Sequence, residues 1–66
     1  MILLTKLNNS PMLVNVDSIK FIEATPDSLI FFQNGDSTFV RENLEEIIAR
    51  VIDYKARVIK NSAQIA

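Results

Sequence analysis

The sequence predicts an α+β fold: a small twisted, mainly antiparallel sheet of four or five strands followed by one amphipathic C-terminal helix. Three observations predict it. Up to about Arg41, short apolar bursts alternate with turn residues. From Leu44 onward, one long stretch repeats its apolar residues at helical spacing. Between two of the apolar bursts stands Asn34-Gly35, the dipeptide best suited to a tight hairpin loop. No repeat, low-complexity stretch or linker interrupts the 66 residues, so residues 1–66 read as a single domain.

Residues 2–7 form the first predicted strand, and Asn8-Asn9-Ser10-Pro11 ends it. Asn tolerates left-handed backbone geometry, and Pro cannot donate to a ladder. The second strand covers about 12–16, where Met12, Val14 and Val16 alternate with Leu13 and Asn15 and mark one well-buried face. After the break at Asp17-Ser18, a third strand covers about 19–24; Ile19, Phe21 and Ile22 do not keep a period of two, which points to a bulge. Thr25-Pro26-Asp27-Ser28 reads as a turn, because Pro presets the dihedral at its second position and Asp accepts from nearby amides.

The fourth and fifth strands, about 29–33 and 37–41, flank Asn34-Gly35. A two-residue type I′ loop there would pair Gln33 with Asp36, Phe32 with Ser37, Phe31 with Thr38, Ile30 with Phe39 and Leu29 with Val40. Both faces of that hairpin carry large apolar groups, and one helix covers only one face. The other face calls for a partner, of which a second copy of the chain is the simplest.

Asn43 is the predicted N-cap, with Glu46 three residues on and Glu45 and Glu46 in a first turn that suits the helix dipole. The helix covers about 44–60, ended by Asn61-Ser62, and 61–66 read as a tail. At 100° per residue, Leu44, Ile47, Ile48, Val51, Ile52, Tyr54, Val58 and Ile59 fall within an arc of roughly 160°. Glu46, Arg50, Asp53, Arg57 and Lys60 lie opposite. Lys55 sits inside the arc, its stem able to pack while the ammonium reaches water.

Hydrophobic residues at 48% and charged residues at 23% are the balance of a globular chain, not a disordered one. A domain this small buries only roughly 60% of its unfolded surface and usually needs a staple. The chain has neither cysteine nor histidine, which excludes a cysteine–histidine zinc site, a thiol nucleophile, a Ser-His-Asp triad and a histidine base. Self-association is then the expected staple, and no cofactor or metal is expected. Seven basic and eight acidic residues, net −1, are spread along the chain and leave no basic footprint for nucleic acid. The longest apolar run, Leu29-Ile30-Phe31-Phe32, is far short of the ~20 residues of a membrane span, and Lys6 follows Met1-Ile2-Leu3-Leu4 too soon for a signal segment. A cytoplasmic location is expected.

Four stretches carry a family resemblance: L-T-K-L-N at Leu4 to Asn8, I-E-A-T-P-D-S at Ile22 to Ser28, N-G at Asn34-Gly35, and V-R-E-N-L-E-E at Val40 to Glu46 before the apolar helix. From Ile2 to about Arg57 the chain resembles the FlbD/SwrD flagellar and swarming motility proteins. It departs from them at Asn9, where the family usually has glycine, and in a longer tail beyond Lys60. The resemblance implies a non-enzymatic role in supporting flagellar motor power, with motor or stator proteins as partners, at the cytoplasmic face of the motor. It does not imply how.

The candidate residues weigh differently. Asn8, Asn9, Pro26, Asp27, Asn34 and Gly35 each have a sufficient backbone reason to be where they are. Glu23 and Asp27 beside the proline turn could form a recognition or general-base pair, or simply a solvated turn. Phe31, Phe32 and Phe39 could line a pocket, or build the core and a subunit contact. The candidate oligomer or partner interface is Phe32, Arg50, Ile52, Tyr54, Lys55, Arg57, Val58 and Ile59, since Tyr and Arg are enriched at interface hot spots. The alternative function is a small RNA-binding regulator of CsrA-like type, also five-stranded with a C-terminal helix. Lys6 and Arg41 would have to meet phosphates there, and Glu23, Glu42 and Glu45 dilute them.

Overall fold

The computed structural model describes residues 1–24 and 26–65, with side chains through Ile59. Five strands precede one helix: β1 (Ile2–Thr5), β2 (Pro11–Val14), β3 (Ile19–Ala24), β4 (Ser28–Phe32), β5 (Ser37–Val40) and α1 (Leu44–Ile65). The α+β class and the order of elements are those the sequence predicts. The strands form two antiparallel sheets instead of one: β1-β2, and β3-β4-β5. A lone antiparallel bridge between Lys6 and Val40, and a bond from Arg41 N–H to the Thr5 carbonyl (2.8 Å), tie β1 to β5. The ladder stops there because the chain on one side reverses into Asn8-Asn9 and on the other enters the helix.

β1 and β2 pair Ile2 with Val14, Leu3 with Leu13, Leu4 with Met12 and Thr5 with Pro11. Their turn is closed by Lys6 N–H on the Ser10 carbonyl and Asn9 N–H on the Lys6 carbonyl, both 2.9 Å, while Asn8 Oδ1 accepts from Ser10 N–H. Asn9 has φ 69°, so this non-glycine residue does adopt the left-handed geometry required. β2 ends two residues earlier than predicted. Val16–Ser18 form a single 3-10 turn, because Asn15 Oδ1 accepts from Asp17 N–H and draws the backbone out of the strand.

In the second sheet, β3 pairs with β4 through Phe21–Phe31, Ile22–Ile30, Glu23–Leu29 and Ala24–Ser28, with a register shift between Ile19 and Phe21 where the irregularity was predicted. Thr25, in the predicted turn, lies outside the described residues. The β4–β5 register is one residue away from the predicted one: Ser28 pairs with Val40, Leu29 with Phe39, Ile30 with Thr38 and Phe31 with Ser37. The loop is longer than two residues. Gly35 N–H bonds the Phe32 carbonyl (3.1 Å) and Phe32 N–H the Asp36 carbonyl (2.8 Å); Gly35 has φ 93°, and Asn34 is not among the positive-φ residues. That is a type I turn closed by a glycine bulge. Asn34 stays right-handed because its Oδ1 accepts from Asp36 N–H (2.9 Å).

The core consists of Ile2, Leu4, Val14, Ile30, Val40 and Ile47, with Met12, Val16, Ile19, Ile22, Phe32, Val51 and Tyr54 packed around it. The helix starts as predicted: Asn43 Oδ1 accepts from Glu46 N–H (2.8 Å). It continues past the predicted stop at Asn61-Ser62 to Ile65. Asn and Ser are only mildly unfavourable in a helix, and Ala63 and Gln64 propagate it. Its 22 residues span about 33 Å, in a molecule of 42 × 22 × 19 Å. Among the described side chains the last to pack on the core is Tyr54; those of 55–59 are all exposed.

Candidate interaction surfaces

At the joint between β1, β5 and α1 stands Glu42, a carboxylate 6% exposed. Its Oε1 accepts from Thr5 N–H (2.8 Å), and its Oε2 from Thr5 Oγ1 (2.8 Å) and Arg50 Nη1 (2.9 Å). Arg50 Nη1 also donates to the Leu3 carbonyl (2.6 Å), and Ser28 Oγ to the carbonyl of Glu42 (2.7 Å). Burial pushes the Glu42 pKa up, but the bonds from Thr5, from its own backbone and from Arg50 outweigh it and hold the carboxyl below the ordinary glutamate range. Among the described residues no buried side-chain polar atom lacks a partner. This is a structural clamp: both carboxylate oxygens accept bonds from within the chain, one from Thr5 N–H and the other from Thr5 Oγ1 and Arg50.

Among the described residues, Leu3 and Leu13, paired on the outer face of β1-β2, are 54% and 66% exposed, and two further apolar surfaces are uncovered. The first is the face of β3-β4-β5 turned away from the core. The register puts Phe21 beside Phe31 and Leu29 beside Phe39 there, and the rings of Phe21 and Phe31 stack with centroids 4.5 Å apart. Phe21 is 44% exposed and Phe39 43%. Phe32, on the opposite face, packs on the core. The second surface is the helix stripe Ile48, Ile52 and Ile59, with Val58 at its edge, all exposed. A shallow groove of about 430 Å³ runs between β1 and the helix, lined by Leu3, Thr5, Arg50, Asp53, Tyr54 and Arg57 among others. It is walled by ion-paired residues: Arg50 holds Glu42, and Arg57 holds Asp53 at 2.9 Å. Among the described residues no group of acids could hold a metal ion, and no helix is long and apolar enough to cross a membrane.

A family model described as flagellar and swarming motility proteins (FlbD) matches residues 1–59, all five strands and most of the helix. The chain belongs to the FlbD family. No curated protein and no solved structure matches it.

For this FlbD protein, the turn residues read from sequence lie in turns: Asn8 and Asn9 after β1, Pro26 and Asp27 before β4, Asn34 and Gly35 before β5. The helix candidates separate into two groups. Arg50 and Tyr54 face their own domain; Ile52, Lys55, Val58 and Ile59 are exposed, and Arg57 is exposed while paired with Asp53. Glu23 and Asp27 are both exposed. Sequence reasoning missed the Glu42 clamp, because Thr5 and Glu42 are 37 residues apart and no local pattern joins them. It also missed Phe21 and Leu29 as members of the open sheet face, for which the alternation of Phe21, Glu23 and of Leu29, Phe31 was the available signal.

Proposed function

We propose that the protein supports flagellar motor power as a non-enzymatic, cytoplasmic adaptor that self-associates and binds a motor or stator component. Family membership supplies the process, flagellar and swarming motility. The observation that carries the molecular reading is the open aromatic face of Phe21, Leu29, Phe31 and Phe39 on so small a domain. Large rings left in water on a rigid sheet favour burial against a protein partner. Among the described residues the one carboxylate with a shifted pKa, Glu42, has both oxygens bonded within its own chain, which favours a structural over a catalytic role for it. In mechanism, the adaptor binds the torque-generating state of its target more tightly than the idle state and raises its population.

The experiment is torque measurement on tethered cells lacking the gene, complemented with the wild type or with Phe39→Ser. Loss of torque on deletion, rescued by the wild type and not by a folded, equally abundant Phe39→Ser protein, is the expected result. A deletion strain that swims and swarms with unchanged torque would sink the motor reading. Full rescue by Phe39→Ser would remove the sheet face from it.

A further inference from the structure

The loop between β4 and β5 joins a carboxamide to the backbone nitrogen best able to attack it. Of the six asparagines, Asn34 alone precedes a glycine; the others precede Asn, Ser, Val or Leu, whose Cβ crowds the nitrogen that must act as nucleophile. Asn34, Gly35 and Asp36 are all exposed. In the closed loop each reacting group is held away from the other. Gly35 N–H donates to the Phe32 carbonyl (3.1 Å), so the electron pair left by deprotonation points at Phe32 and not at Asn34 Cγ. Asp36 fixes the carboxamide from both ends: Asn34 Oδ1 accepts from Asp36 N–H (2.9 Å), and Asn34 Nδ2 donates to Asp36 Oδ2 (3.0 Å).

We infer that Asn34 is a self-modification site, a deamidation site gated by the β4–β5 hairpin: the closed loop restrains the reaction and opening of the loop releases it. In the open loop Gly35 N loses its proton and bonds Asn34 Cγ. The Cγ–Nδ2 bond breaks, Nδ2 leaves as ammonia with that proton, and a five-membered succinimide remains. Water then opens the ring. Addition at Cγ breaks the new bond and gives aspartate; addition at the main-chain carbonyl carbon of residue 34 breaks the original peptide bond and gives isoaspartate, with one more methylene in the main chain. In both cases the water oxygen enters the carboxyl group and the nitrogen regains a proton, so nothing is oxidised or reduced. Aspartate no longer donates to Asp36 and sets two carboxylates side by side. Isoaspartate lengthens the loop, and loop length fixes the register that buries Ile30 and Val40 together. The same two strands carry Leu29, Phe31 and Phe39, so hairpin opening is converted, copy by copy, into lasting damage to the open aromatic face.

The test follows the wild-type protein in mildly alkaline buffer, folded in one sample and unfolded by urea at the same pH and temperature in the other. Peptide mass mapping reads conversion of amide to acid, enzymatic isoaspartate methylation reads the β-linked product, and hydrogen–deuterium exchange by NMR reads opening at Gly35 N–H in the folded chain. In urea, position 34 should convert ahead of the other five asparagines. In the folded chain it should convert roughly tenfold or more slowly, by a factor that matches the protection of the Gly35 amide, because both reactions need the same opening. Another asparagine leading in urea overturns the site. Folded protein that converts at position 34 as fast as unfolded, or faster than opening at Gly35 permits, overturns the gate.

Discussion

Removing the Glu42 carboxylate should be the most damaging single polar substitution in the molecule. In Glu42→Ala, Thr5 N–H and Thr5 Oγ1 lose acceptors at 2.8 Å, and Arg50 loses its partner at 2.9 Å. Bonds to a charged group contribute about 1.5–3 kcal/mol each, and a buried donor left unmade costs about 1–3 kcal/mol. Arg50 is 41% exposed and recovers water, so its share is small, and the Thr5 hydroxyl can rotate to another acceptor. The Thr5 amide cannot move. A net loss of about 3 kcal/mol follows, which in a domain of this size lowers Tm by about 12–24 °C. Glu42→Gln keeps one acceptor for the amide and should lose about half as much. The pH dependence gives the sharper test. The folded-state pKa of Glu42 is depressed, so its contribution is fully present above the ordinary glutamate pKa and is lost as pH falls from there through the folded value. The Tm gap between wild type and Glu42→Gln should therefore be wide at pH 7 and narrow steadily as the medium is acidified below the ordinary glutamate range. Thermal denaturation followed by circular dichroism at a series of pH values measures both quantities. A Glu42→Ala protein melting within about 2 °C of wild type at pH 7, or a gap to Glu42→Gln that does not narrow in acid, would refute the clamp.

The two sides of the helix should respond oppositely to truncation: Ile47→Ala, at a fully buried site, should cost about 2–5 kcal/mol in a chemical denaturation curve, whereas Ile52→Ala, at an exposed one, should stay within about 0.5 kcal/mol when measured on dilute protein. Gly35→Ala should cost about 1–2 kcal/mol through backbone strain alone, since a Cβ there meets no atom within 4 Å while φ stands at 93°; an unchanged melting temperature would contradict the glycine bulge. Asn43→Ala should cost about 1 kcal/mol by leaving Glu46 N–H without its cap, and Asn43→Ser should restore most of it; equal stability of all three proteins would argue against the cap.

The sequence gathered its interface candidates into one group, whereas the exposed apolar side chains of the structure lie apart, on the open sheet face and along the helix stripe. Phe32 and Arg50, both read as interface candidates, are spent inside the domain, one on the core and the other on Glu42. Phe21 and Leu29 take their place on the outside. A one-residue difference in the β4–β5 register accounts for the new pairings, because it replaces the opposition of Ile30 with Phe39 by that of Leu29 with Phe39. With this register, Ile30 and Val40 point inward together, and Phe31 and Phe39 stay on the outer face.

What the sequence determined by itself was whatever is written in short range. Asn43 and Glu46 mark the helix start within four residues. The Asn8-Asn9 and Asn34-Gly35 pairs mark the reversals, and the change from period two to period 3.6 near Arg41 marks the passage from sheet to helix. Absent cysteine and histidine removed whole classes of chemistry before any fold was considered. Only the tertiary structure decided how far the strands pair, and so whether they make one sheet or two. The turn type was also settled there: Asn34-Gly35 suits either a two- or a three-residue loop, and the choice follows from which register buries Ile30 and Val40 together. The Glu42 clamp belongs to the same class, since it joins Thr5 to residues 37 and more positions away, and contacts at that separation arise only when packing of the whole chain brings the two strand ends to the helix start.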